Sequence, residues 1–73
     1  MDREFTQMQK ALAANLLRLR AAKYLTQEQL AFEAEVDRTY VSQIERCLKN
    51  PSLLILHKLA KALDSDVVSL LRR

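Results

Sequence analysis

Seventy-three residues, 49% of them apolar and none of them glycine or tryptophan, bound the chain to one small domain with a core of Leu, Ala and Val on helices. Without glycine, and with one proline, a β-rich fold full of tight turns is excluded, and a formal net charge of +3 suits a nucleic-acid partner. One cysteine and one histidine build neither an internal disulfide nor an ordinary zinc site, and no apolar run reaches the roughly 18 residues of a membrane span. The expectation is a cytoplasmic protein that is not an enzyme and takes no metal, cofactor or small-molecule ligand. Paired acids, a nucleophile with its base and a phosphate loop are all missing from the sequence.

A first helix is predicted from about Asp2 or Thr6 to Ala22, because Phe5, Met8, Leu12, Leu16 and Leu19 recur at spacings of three and four. Lys23-Tyr24-Leu25 closes it. Thr26 followed by Gln29 fits a capping box, so a second helix starts at Gln27, with a narrow stripe of Leu30, Ala31 and Ala34. Glu35-Val36-Asp37 forms a corner, and Asp37 caps a third helix starting at Arg38. Asn50-Pro51 interrupts helical structure, and Ser52 caps a fourth helix over residues 53–63 that buries Leu53, Leu56, Leu59, Ala60 and Leu63. Asp64-Ser65-Asp66 ends it, and Asp66 caps a last short helix holding Val67, Leu70 and Leu71. The expected fold is all-α, five helices around residues 27–46, which match the helix-turn-helix unit.

The third helix has two sides. At about 100° per residue, Tyr40, Val41, Ile44, Cys47 and Leu48 share one arc, and Arg38, Thr39, Ser42, Gln43 and Arg46 share the other. Long non-acidic donors on one face suit a helix lying in the DNA major groove. Arg38, Thr39 and Gln43 are expected to read bases, Arg bidentately at guanine, Gln at adenine and Thr by methyl contact with thymine. Ser42 and Arg46, at the edges of the arc, reach bases or phosphates. A solvated helix face is the bland alternative. Gln27, in the first turn of its helix, and Lys49 and Asn50, in the following loop, are expected phosphate contacts. Glu45, the one acid on the third helix, faces away from the polar arc, and Arg20 flanks the first helix's apolar stripe, which predicts an ion pair between them.

The runs LTQEQLAFEA, VDRTYVSQIER and NPSLLILHKLAKAL resemble, in that order, the Cro/phage-repressor helix-turn-helix domains. The resemblance spans about residues 12–71 and is nearest to short stand-alone regulators such as restriction-modification controller proteins. It implies a compact five-helix fold, a phosphate contact at Gln27 and the Arg20–Glu45 pair. The family usually carries glycine at the corner and after the third helix, where this chain has Glu35 and Cys47. The implied function is sequence-specific regulation of transcription, by a homodimer on a pseudo-palindromic site of double-stranded DNA that controls its own level. RNA polymerase is a candidate further contact. Leu54, His57, Val67, Val68 and Leu71 are the expected dimer contacts. A protein-interaction adaptor or antitoxin on the same scaffold is the rival reading, with Leu17, Phe32 and Leu54 as its apolar contacts.

Overall fold

Each helix begins at a side chain able to accept backbone hydrogen bonds. In the computed structural model, which describes residues 2–73, these are Asp2, Thr26, Asp37, Ser52 and Asp66. They start α1 (Arg3–Ala22), α2 (Gln27–Ala34), α3 (Arg38–Glu45), α4 (Leu53–Ala62) and α5 (Val67–Leu71), so the all-α expectation holds. At α2 both halves of the capping box form, with Gln29 N donating to Thr26 Oγ1 at 3.0 Å and Thr26 N donating to Gln29 Oε1 at 2.9 Å.

The first four helices end by one device. Tyr24, Glu35, Cys47 and Asp64 take left-handed backbone angles, with φ of 56°, 58°, 60° and 55°. The residue after each donates its N–H back five positions: Leu25 to Arg20, Val36 to Ala31, Leu48 to Gln43 and Ser65 to Ala60, at 2.8–3.1 Å. These are Schellman caps, which satisfy the last carbonyls of a helix and turn the chain sharply. Glycine is the usual occupant, since a Cβ in this region costs roughly 1 kcal/mol.

Leu16, Leu30, Val41, Ile44, Leu59 and Leu70 are the most fully buried large side chains, and every helix contributes at least one. α1 packs on α3 and α5, α2 on α3 and α4, and α4 on α5. The five residues of α5 are too few to hold a helix alone. Asn15 on α1 secures it, donating from Nδ2 to the Leu70 carbonyl at 2.9 Å and to the Arg72 carbonyl at 2.7 Å. Lys23 and Asp64, 2.6 Å apart, tie two of the corners together at the surface.

One expectation needs correction. Leu53 is 72% exposed, because it occupies the first position of α4, ahead of the turn that meets the core at Ile55 and Leu56. Met8 lies at the rim of the α1 stripe and is also exposed. Val67 and Leu71, named as dimer contacts, are partly buried, packing in part against the protein's own core where α5 meets α1 and α4 and keeping part of their surface outside. Val68, between them on the opposite side, is 66% exposed, and Leu54 and His57 lie outside as expected. Among the described residues no helix is long and apolar enough to cross a membrane.

Candidate nucleic-acid interface

α3 is held from behind by its apolar arc. Val41 and Ile44 are fully buried, whereas Tyr40 before them and Cys47 after them are half-buried and Leu48 is exposed, so the hold on α3 is firmest at its middle. Asp37 fixes the start: its Oδ1 accepts from Thr39 N at 2.9 Å and from Thr39 Oγ1 at 2.8 Å. The Thr39 backbone bond, followed by that of its hydroxyl, holds the Asp37 carboxyl below its ordinary value. With its hydroxyl proton committed to the cap, the exposed Thr39 has its methyl group left for an apolar contact.

The polar arc gathers as expected at its leading end. Arg38, Thr39 and Ser42 line one shallow cleft of about 300 Å³ with Gln27 and Glu28 of α2. Arg38 and Thr39 are exposed and Ser42 is half-buried. Gln43 is half-buried and Arg46 exposed, both outside this cleft, nearer the end of the helix. The half-buried Lys49 sets its Nζ 4.8 Å above the centre of the ring of Tyr40, a residue of the first turn of α3. Asn50 lies elsewhere: it lines a small apolar recess with Phe5, Met8, Gln9 and Pro51, between α1 and the loop before α4.

Behind the cleft sits an ion-pair network. Arg20 donates from Nε to Glu45 Oε2 at 2.8 Å, from Nη2 to Glu45 Oε1 at 3.0 Å and from Nη1 to the Leu25 carbonyl at 2.8 Å. Its hydrogen bond to Glu45 raises the guanidinium pKa above its ordinary value, outweighing the desolvation that opposes it. The two side chains are 15% and 7% exposed. Gln27 joins them, its Nε2 donating to Glu45 Oε1 at 2.9 Å. The Gln27 side chain is thus turned partly inward, leaving one amide hydrogen and the first-turn backbone N–H for a phosphate.

Sequence reasoning overlooked Glu28. Arg38 Nη1 lies 2.9 Å from Glu28 Oε2 across the cleft, with the side chains 71% and 73% exposed. Helical spacing gave no signal for it: Glu28 points about 100° away from Gln27, an acid in the first turn of a helix is accounted for by the helix dipole, and its partner sits on another helix. The arrangement is a patch of donors with one acid among them, shaped as a ridge and cleft rather than an enclosed pocket.

Comparison with known proteins bears on the family and the fold. The helix-turn-helix family HTH_3 matches residues 16–70. The control protein C.SmaI of Serratia marcescens is 41% identical over 69 residues, which are 94% of this chain and 82% of that one. Among solved structures, the restriction-modification controller protein C.AhdI of Aeromonas hydrophila superposes with a TM-score of 0.81 at 44% identity, covering 85% of this chain and 94% of its own. The hypothetical transcription factor NHTF from Neisseria superposes with a TM-score of 0.84 at 39% identity, covering 88% and 74%.

Proposed function

The chain belongs to the HTH_3 helix-turn-helix family of transcription regulators and is related to restriction-modification controller proteins, and from that premise we propose that it acts as a homodimer on a pseudo-palindromic operator and regulates its own expression. The observation that carries the reading is the convergence of Arg38, Thr39 and Ser42 with the first turn of α2 in a single outward cleft. In this reading α3 enters the major groove, Arg38, Thr39 and Gln43 read bases, and Ser42 and Arg46 contact the edges of the site. The first turn of α2 and Lys49 meet phosphate on either side, with Asn50 further along the strand.

A domain of this size covers little DNA, so specificity calls for two copies with recognition helices one helical turn apart. Leu53, Leu54 and Val68, with His57, supply the exposed apolar surface for pairing. Occupancy by a dimer rises steeply with concentration, which suits a regulator of its own operon and of a neighbouring restriction-modification pair. Contact between the bound dimer and RNA polymerase would decide activation against repression.

Selection from random duplexes followed by gel shift tests the reading. A palindromic consensus is expected, with log affinity falling steeply as log salt rises. Selection that yields no consensus would remove the operator, and sedimentation showing only monomer, free and on DNA, would remove the dimer. In the latter test Leu54→Asp should convert wild-type dimer to folded monomer. Phe32, 83% exposed on α2, favours a second reading as a protein-interaction module; in that case Phe32→Ala would abolish capture of a partner protein and leave duplex binding intact.

A further inference from the structure

Arg38 and Glu28 stand at the starts of two different helices, first residue of α3 and second of α2, and meet at 2.9 Å across the cleft. An acid is out of place on a face meant for phosphate. It repels the strand, and a surface pair this exposed adds little to folding.

The engaged atom is informative. Arg38 uses Nη1 for Glu28. A guanidinium has five donors along its edges, and an acceptor at Nη1 leaves the edge made by Nε and Nη2 free. That edge has the spacing to grip O6 and N7 of guanine together. Arg38 is otherwise a long flexible side chain, and its bond to Glu28 biases it toward this arrangement before DNA arrives.

From this geometry we infer that Glu28 is a positioning residue for base recognition: it holds the Arg38 guanidinium with its Nε–Nη2 edge turned toward guanine. The inference rests on the DNA-reading role of Arg38. It also gives the acid a role in rejection. On a matched site the carboxylate is neutralised by an Arg38 that is itself satisfied by guanine. Where another base leaves Arg38 without acceptors, the same carboxylate lies against phosphate with a poorly placed partner. Removing its charge should therefore strengthen binding to unrelated duplex while blunting preference at one base pair. A role confined to the positive end of α2 would need no Arg38.

The test compares wild type, Glu28→Gln, Arg38→Ala and the double variant on three duplexes: the selected site, that site changed at the Arg38-dependent pair, and random sequence. In the wild-type background Glu28→Gln should reduce discrimination at that pair by about tenfold. In the Arg38→Ala background it should reduce it no further. NMR of free protein should show an ordered Arg38 Nε–Hε group in wild type and a mobile one in Glu28→Gln. Uniformly higher affinity on all three duplexes with unchanged preference, or an Arg38 equally mobile in both proteins, overturns the positioning role. Wild type without sequence preference overturns the DNA reading itself, and this role with it; the wild-type arm separates the two failures.

Discussion

Two arginine–glutamate pairs are anchored at opposite ends of α3, one at Arg38 and the other at Glu45, and they do opposite work. Arg20 and Glu45 are nearly enclosed, share two hydrogen bonds, and are completed by the Leu25 carbonyl and the Gln27 amide. Arg38 and Glu28 share one bond and stand mostly in water. The first pair spends three of the five Arg20 donors and both Glu45 oxygens inside the fold, and its burial keeps it from a ligand, so it fastens α1, α2 and α3. The second keeps most of its hydrogen-bonding capacity free and belongs to the surface that meets one. Chemical type alone does not separate scaffold from site; burial and the number of satisfied partners do.

Breaking the enclosed pair should have the largest effect. Glu45→Ala strands a desolvated guanidinium and should lower unfolding free energy by about 3 kcal/mol. Chemical denaturation measures it, and a loss below about 1 kcal/mol would mean that the network is effectively solvated. Replacing both partners, Arg20→Met with Glu45→Leu, should restore most of that loss, since the cost lies in the unpaired charge.

The exposed pair should behave in reverse. Arg38→Ala should leave denaturation within about 0.5 kcal/mol of wild type and yet cost about 1–3 kcal/mol of discrimination at one base pair. Equal losses on every duplex would reassign Arg38 to phosphate. Between the two pairs lies the corner that sets the angle of α3 to α2. Glu35→Gly should move stability by no more than about 0.5 kcal/mol, because relief of its left-handed backbone is offset by a looser unfolded chain, read from the denaturation midpoint; a loss of about 1 kcal/mol or more would show that the corner is not strained.

The smallest effect is acid sensitivity at the caps. Asp37 and Asp66 are held below the ordinary carboxylate range, mainly by the backbone N–H groups of Thr39 and Ser69. A carboxylate lowered on folding contributes stability that is present above its unfolded value and is lost as pH falls through the folded one. Thermal midpoints should thus be level from pH 7 to about 5 and decline below about 4. Asp37→Asn, which keeps the capping oxygen without the titration, should soften the decline; an unchanged profile would mean that other carboxylates set it.

Helix starts were plain in the sequence because the side chains that make them, Thr26, Asp37, Ser52 and Asp66, advertise their role by type. Helix ends were harder. At Glu35 and Cys47 only the glycine usual in related chains marks the bend, and Lys23-Tyr24-Leu25 and Asp64-Ser65-Asp66 end their helices without showing which of the three residues turns left-handed. The polar arc of α3 was legible from its period. The partner of Gln27 was not, because whether a glutamine points at solvent or at Glu45 depends on three helices at once. The partial burial of Val67 and Leu71 was hidden for the same reason: a five-residue helix shows too little periodicity to tell its inner side from its outer one.

The four glycine-free corners bear on how such a domain can diverge. The architecture asks each bend for a torsion angle rather than a particular amino acid, and Tyr, Glu, Cys and Asp all supply it. Glycine would ease the bend yet loosen the unfolded chain by an amount of similar size, roughly 0.5–1 kcal/mol, so exchange in either direction is nearly neutral. Bends of this kind can drift freely in letter while the three-dimensional frame that aims α3 stays still.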